Sequence, residues 1–366
     1  MPVQFVVRVL DIVVSVELDD SLPTPLSAAI VAQWAHLTVD PVDRTPVLRW
    51  RLTLSDAESQ YAGDDVVVVA ATQEAAADQL ATRLTLAGLR NLAGRTFLFH
   101  AAGLALDDGL VLAFVGPSGR GKTTLARHLG VTLGYVTDET VAFRHDLSVI
   151  PYPKPLSIGS RPGAKRLHSP LDLGLRLPPN ELRLGALILL DRDPAVTEPR
   201  VEEVPLVEAL GELVPQMSSL SRMPHPLRSL VDVISATGGV RRLVYGGAED
   251  LRELVPTILR ATAATPTVSN PTVGEVPSEL APGAVGRAPY VDALSIGDDL
   301  AVLGAHRLHV LAGIGPAVWR SSDGIGIEQL RGRIESVYGP SPDGIGSWHV
   351  AQATDRLVAA GVLRSG

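Results

Sequence analysis

The sequence predicts an α/β protein of several domains: a nucleotide domain built on a phosphate-binding loop, a β-rich lobe before it, and a winged-helix α+β domain after it. Three observations carry this expectation. Gly116-Pro-Ser118-Gly119-Arg120-Gly121-Lys122-Thr123-Thr124 fits the phosphate-cradling pattern G-x-x-x-x-G-K-[ST] and follows directly on the apolar run Leu110 to Val115. Short apolar runs separated by turn residues surround that loop and alternate with helical periodicity. A stretch rich in Pro, Thr, Ser, Val and Gly, Ala263 to Gly286, reads as a linker to a last domain at 287–366.

In chain order, residues 1–95 open with strand patterns at Val3 to Val16, Val47 to Leu54 and Val66 to Ala71. A helix follows with Leu80, Leu84 and Ala87 on one face. The opening MPVQFVVRVLDIVV carries Arg8 and Asp11 within its apolar run and reads as a strand rather than a targeting segment. The nucleotide domain, 96–262, is expected to hold strands at Phe97 to Leu104, Leu110 to Val115, Thr132 to Thr137 and Val141 to Arg144. After the Pro-punctuated segment Pro151 to Leu156 come a loop at Arg161 to His168 and a strand at Ala186 to Leu190. Helices near Pro205 to Val214 and Leu227 to Ala236, a strand at Arg241 to Tyr245 and a helix at Glu249 to Ala261 complete it. Beyond the linker, strands are expected at Ala293 to Ile296, Leu300 to Leu303 and Arg307 to Leu311. Ile327, Leu330, Ile334 and Val337 recur at helical spacing, and Val350, Thr354, Leu357 and Val358 mark a final helix ended by Gly361. Three strands and three helices are the winged-helix plan.

The 366 residues are 46% apolar and 20% charged, which is the composition of a globular protein able to bury a core. A net charge of −8 argues against nucleic acid as the partner. Without cysteine there is no disulfide, thiol nucleophile or cysteine zinc site, which suits a reducing compartment, so the cytoplasm is the expected location. No run approaches the ~20 apolar residues of a membrane helix, so no membrane is expected. The oligomeric state is left open.

The loop has a physical logic. Gly116, Gly119 and Gly121 let backbone N–H groups turn inward around an anion, and a helix N-terminus stands behind them. The Lys122 ammonium is suited to reach the β- and γ-phosphates, and the Thr123 hydroxyl to sit on Mg²⁺. Only three of the 32 Lys and Arg residues are lysine, at positions 122, 154 and 165, and one of them stands in the loop.

A phosphate loop alone does not choose between hydrolysis, transfer and switching; the carboxylates beside it do. Asp138-Glu139 ends the strand after the loop helix. In a phosphoryl-transfer site one acid accepts the proton of the attacking hydroxyl and another holds Mg²⁺, and adjacent acids can divide those roles. The same dipeptide also suits a polar turn. Asp191, at the end of its apolar strand, is either a second metal ligand or an ordinary acidic strand end. Arg161, Lys165 and Arg166 form either a phosphoryl-stabilising loop or a solvated one. His100, after Phe97-Leu-Phe, reads by itself as a packed, hydrogen-bonded histidine rather than a catalytic one.

Together Phe99-His100-Ala101-Ala102, Val115 to Thr124, Tyr135-Val-Thr-Asp138-Glu139-Thr-Val141 and Tyr152-Pro-Lys-Pro155 resemble the HPr kinase family over residues 95–260. The resemblance implies a fold like the C-terminal domain of phosphoenolpyruvate carboxykinases and phosphorylation of a protein serine. It implies that Asp138 is the catalytic acid/base, that Lys122 and Thr123 bind phosphate and Mg²⁺, and that His100 lies beside the reacting phosphate. Glu139, where that family usually has Asp, is then the further candidate Mg²⁺ ligand, and the looser relatives, which include kinases of ribosomally made peptides, fit better. Arg307-Leu-His-Val-Leu311, Ala317-Val-Trp319, Asp323-Gly324 and Leu357 to Leu363 resemble a PqqD-like domain over 287–364. That implies binding of a leader peptide by strand addition at Arg307 to Leu311. The expected function is an ATP- and Mg²⁺-dependent serine kinase of a precursor peptide. The alternatives are a nucleotide-gated peptide adaptor without transfer and a kinase of a small-molecule hydroxyl.

Overall fold

The computed structural model describes residues 2–40, 46–55, 60–62, 65–159, 166–248, 251–260, 267–339 and 346–366. The chain is mixed α/β and divides into two units. The first is Met1–Glu203, Gln216–Leu220 and Val240–Thr262; the second is Val204–Pro215, Ser221–Gly239 and Ala263–Gly366.

The first unit opens with strands β1 (Val3–Val9) and β2 (Ile12–Leu18), helix α1 (Thr24–Trp34), strands β3 (Leu48–Leu54), β4 (Gln60–Ala62) and β5 (Asp65–Ala70), and helix α2 (Gln73–Leu92). The strands form a five-stranded sheet ordered β1-β2-β3-β5-β4. Alternation in β3 turns Trp50 and Leu52 inward, where they join Ile30 and Trp34 of α1 and Leu80 and Leu84 of α2 in one core. Thr72 caps α2, its hydroxyl accepting from the Ala75 N–H at 3.3 Å.

Then follow β6 (Phe97–Ala105), β7 (Leu110–Val115), α3 (Lys122–Leu129), β8 (Gly134–Thr137), β9 (Thr140–Phe143), β10 (Val149–Ile150), β11 (Leu156–Ile158), β12 (Arg166–His168), β13 (Arg183–Arg192) and β14 (Arg200–Val204). Helices α4 (Leu206–Leu213) and α5 (Pro226–Ala236) lead to β15 (Val240–Tyr245) and α6 (Val255–Arg260). The central sheet runs β10-β9-β6-β7-β13-β15-β14, with β8 also paired to β6. Parallel pairing of β7 with β13 and of β13 with β15 explains their near-continuous apolar sequences, since such strands are covered on both faces. Strand β6 carries both β8 and β9, and Gly103 permits it: a Cβ there would lie 2.9 Å from the Val141 side chain.

Two stretches differ from the sequence expectation. Residues 204–215 and 221–239, read as part of the nucleotide domain, cluster with the C-terminal unit, where α4 packs against β20 (Leu308–Leu311) and α5 against β18 (Asp292–Ile296). Amphipathic helices reveal that they have a buried face but not which sheet covers it. The expected linker 263–286 also carries ordered strands: β16 (Val268–Ser269) joins the sheet β16-β18-β19-β20, with β19 at Asp299–Leu303, and β17 (Ala284–Arg287) centres a second sheet with β21 (Asp323–Gly326) and β22 (Leu363–Ser365). Residues 263–266 of that stretch lie outside the described residues. The Pro- and Gly-rich composition hid these strands, because a strand of two to four residues leaves little periodicity. Helices α7 (Gly315–Ser321), α8 (Ile327–Tyr338) and α9 (Gly346–Ala359) supply the expected three, packed around Trp319 and Leu330. The sheets exceed the three strands expected. Among the described residues no helix is long and apolar enough to cross a membrane.

Candidate functional site

The loop Gly116 to Gly121 joins β7 to α3. Gly119 and Gly121 take φ of +86° and +89°, a left-handed conformation that side chains resist, and Gly121 is the N-cap of α3. A Cβ on Gly121 would also stand 3.0 Å from the Tyr245 hydroxyl, which donates to the Arg120 carbonyl at 2.9 Å. Lys122 is buried. Its Nζ donates to the carbonyls of Gly116 at 2.6 Å and Pro117 at 3.0 Å, so the ammonium closes the loop on itself. Burial lowers its pKa to about 8, and Asp138 and Glu139 resist that shift.

The acids stand at the two-residue connection between β8 and β9, where the Thr137 hydroxyl accepts from the N–H groups of Glu139 at 3.3 Å and Thr140 at 3.4 Å. Asp138 is only 6% exposed and its two oxygens are divided. Oδ2 accepts from the Thr123 hydroxyl at 2.9 Å; Oδ1 accepts from the Tyr135 hydroxyl at 3.1 Å and meets Lys154 Nζ at 3.2 Å. Lys154 also lies 3.0 Å from Glu139 Oε2, and the Tyr135 hydroxyl reaches the Lys154 carbonyl at 3.1 Å. Burial works against the charge of Lys154, yet the two carboxylates outweigh it and raise the pKa above the ordinary lysine value. Burial and then Asp138 push Tyr135 well up, so it remains a donor.

His100, on β6, places Nδ1 3.1 Å from the Glu139 carbonyl. A carbonyl only accepts, so Nδ1 carries the hydrogen and Nε2 keeps its lone pair. Burial, followed by the charge of Lys122, lowers the pKa of the ring, which is therefore neutral at neutral pH.

These groups share one cleft of about 770 Å³. Ser118, Gly119, Gly121, Lys122, Thr123 and Thr124 line one side, and His100, Asp138, Glu139 and Lys154 stand with them. Asp78, Ala81 and Thr82 of α2 bring the N-terminal sheet's helix to the cleft, with Ser157 of β11, whose hydroxyl donates to Asp78 at 3.0 Å. Gly116 and Arg120 do not line it; Gly116 serves through its carbonyl, and the Arg120 guanidinium meets Asp191 at 3.3 Å. Asp191 is thus tied to Arg120 and does not line the cleft. Arg166 is exposed and outside the cleft lining, and Arg161 and Lys165 lie outside the described residues.

Two further residues matter that sequence reasoning left without a role. Lys154 was visible as one of three lysines and within the run Tyr152-Pro-Lys-Pro155, but nothing along the chain places residue 154 beside residue 138. Asp78 carried no signal beyond its place on a helix.

Magnesium, implied by the loop pattern, fits what stands here. Thr123 Oγ1 and Asp138 Oδ2 are adjacent oxygens beside the loop, and Mg²⁺ commonly takes one or two carboxylates with the rest of its shell from phosphate and water. It is Asp138, rather than Glu139, that the structure brings to Thr123; the Glu139 carboxylate is held by Lys154. Among the described residues no group of three or more His, Asp or Glu side chains is arranged to hold a metal alone, so phosphate oxygens would have to complete the shell. No family model and no curated protein matches the chain.

Proposed function

We propose that the first unit is a kinase that binds ATP and transfers its γ-phosphoryl group to a hydroxyl, and that the acceptor is a serine of a ribosomally made precursor peptide recruited by the second unit. The observation that carries the transfer reading is the 2.9 Å hydrogen bond from Thr123 to Asp138, which sets a buried carboxylate within one bond of the phosphate loop. The HPr kinase resemblance supports transfer, and the PqqD-like resemblance supports a peptide acceptor.

In this reading the backbone N–H groups of the loop and Lys122 hold the β- and γ-phosphates, the ammonium leaving the loop carbonyls for the anion. Mg²⁺, held by the Thr123 hydroxyl and by phosphate oxygens and water, would neutralise charge on those phosphate oxygens and leave Asp138 Oδ2 free to act as the base. Asp138 accepts the proton of the acceptor hydroxyl as its oxygen bonds to the γ-phosphorus and the bond to the β–γ bridging oxygen breaks. His100 lines the same cleft and, as the resemblance implies, would lie beside the reacting phosphate. The test is mass spectrometry of candidate precursor peptides after incubation with the protein and Mg·ATP. Phosphopeptide is expected from the native chain, and Asp138→Asn should lower its formation by ~10²-fold or more while nucleotide still binds. An Asp138→Asn chain that phosphorylates at the native rate would remove Asp138 from the mechanism, and nucleotide binding with no transfer to any peptide would favour the adaptor alternative.

A further inference from the structure

We propose, on the footing of the transfer reading above, that Lys154 is the positioning residue of the acid pair and that its ammonium stands in for a second metal ion, so that the site takes a single divalent cation. The ammonium has three donors and three acceptors: Asp138 Oδ1 at 3.2 Å, Glu139 Oε2 at 3.0 Å and the Pro155 carbonyl at 3.3 Å. None is left for a ligand. Lys122 differs, because its partners are two loop carbonyls that a phosphate can replace.

Geometry divides Asp138 between two tasks. Lys154 and Tyr135 hold Oδ1, which leaves Oδ2 facing Thr123 and the loop. In two-metal sites a pair of carboxylates is bridged by ions a few ångströms apart. Here the face shared by Asp138 and Glu139 already holds a covalently tethered cation.

The backbone that carries the ammonium is stiff and braced. Pro153 and Pro155 flank Lys154 and fix φ on either side. Nε2 of His36 donates to the Pro153 carbonyl at 2.6 Å, and the Tyr152 and Thr85 hydroxyls meet at 3.0 Å. Lys154 itself is 5% exposed yet lines the cleft, so an ion that replaced its ammonium would reach the acid pair from the cleft.

The experiment counts Mn²⁺ by electron paramagnetic resonance in the presence of the non-transferring analogue AMP-PNP, for the native chain, Lys154→Met and Lys154→Arg. One Mn²⁺ per chain is expected for the native protein and for Lys154→Arg, and two for Lys154→Met, in which a metal ion enters the vacated face. Lys154→Gln gives the same neutral substitution with an amide donor for Asp138, and the same count of two is expected of it should the methionine variant be insoluble. Phosphoryl transfer by the neutral variants should fall ~10²-fold in kcat with KM for nucleotide within about threefold, and the arginine should restore part of it. Two Mn²⁺ in the native chain, or one in both neutral variants, overturns the role given to Lys154. Failure of the native chain to bind AMP-PNP overturns the transfer reading instead, whereas transfer by a native chain that holds two metal ions overturns only the role of the lysine.

Discussion

Lys122 illustrates how one side chain ties loop geometry to solution behaviour. Its pKa, lowered to about 8 by burial, means that the free protein loses this charge as pH rises through that value. A polyphosphate binds the charged form, so nucleotide affinity should be flat below about pH 8 and fall by about tenfold per pH unit above it, as linkage to one proton requires. Calorimetric titrations with AMP-PNP between pH 6.5 and 9.5 would show it; an affinity unchanged to pH 9.5 would mean that the ammonium does not touch the phosphate. Tyr135 is a second case. Its one hydroxyl hydrogen is shared between Asp138 Oδ1 and the Lys154 carbonyl, and Tyr135→Phe should cost about 1–3 kcal/mol of stability by leaving a buried acceptor short of a donor, measurable by urea unfolding. At this scale the sequence showed the loop and the adjacent acids, because their chemistry depends on neighbours in the chain. It hid Lys154, whose role depends on contacts with Glu139 fifteen residues away and Asp138 sixteen residues away.

At the scale of elements, the N-terminal lobe is connected to the cleft through its helices and the segment around Pro153. The helix α1 leads into His36, which holds the Pro153 carbonyl, and Gln33 donates to the Leu167 carbonyl at 2.9 Å. Burial lowers the pKa of His36 below the ordinary imidazole value. The unfolded chain therefore takes up more protons than the folded one as pH falls through ~6.5, and stability is lost on acidification. His36→Gln, which keeps a donor for Pro153, should flatten part of that loss in thermal melts from pH 7.5 to 5.5, and a native-like slope in the variant would assign the acid sensitivity elsewhere. The strand β20 ends its sheet, with α4 packed against it. The Gly304 N–H donates to the Arg307 carbonyl at 2.8 Å, and bonded pairs alternate along an antiparallel ladder, so the Val310 N–H faces away from β19. Val310→Pro removes that outward donor and spares the ladder. Should a leader peptide add at this edge, the variant is expected to bind precursor ~10-fold more weakly and nucleotide as before, by fluorescence anisotropy with labelled peptide.

Across the whole molecule, the order of the chain and the order of the units do not coincide. The helices α4 and α5 precede β15 in sequence, yet they cluster with the C-terminal unit, where the Leu227 N–H donates to Asp292 at 2.9 Å. A chain ended after residue 262 is therefore expected to lose cooperative melting and to aggregate, because Leu206, Ala209, Leu210 and Leu213 of α4 and the apolar face of α5 lose their strands. A monomeric 1–262 fragment with a native-like melting temperature would contradict this packing. By itself the sequence determined the Gly-rich loop, the strand before it, the helix after it, the acid pair and most long elements, since each rests on spacing, periodicity or a turn requirement within a few residues. Only the tertiary structure decided that α2 walls the cleft, that Lys154 pairs with both acids, that Asp191 turns to Arg120, and that two short strands of the Pro-rich stretch, at 268–269 and 284–287, join sheets. The physical reason is range: local backbone preferences act over a turn or two, whereas burial, ion pairing and strand partnership join residues that chain order leaves far apart.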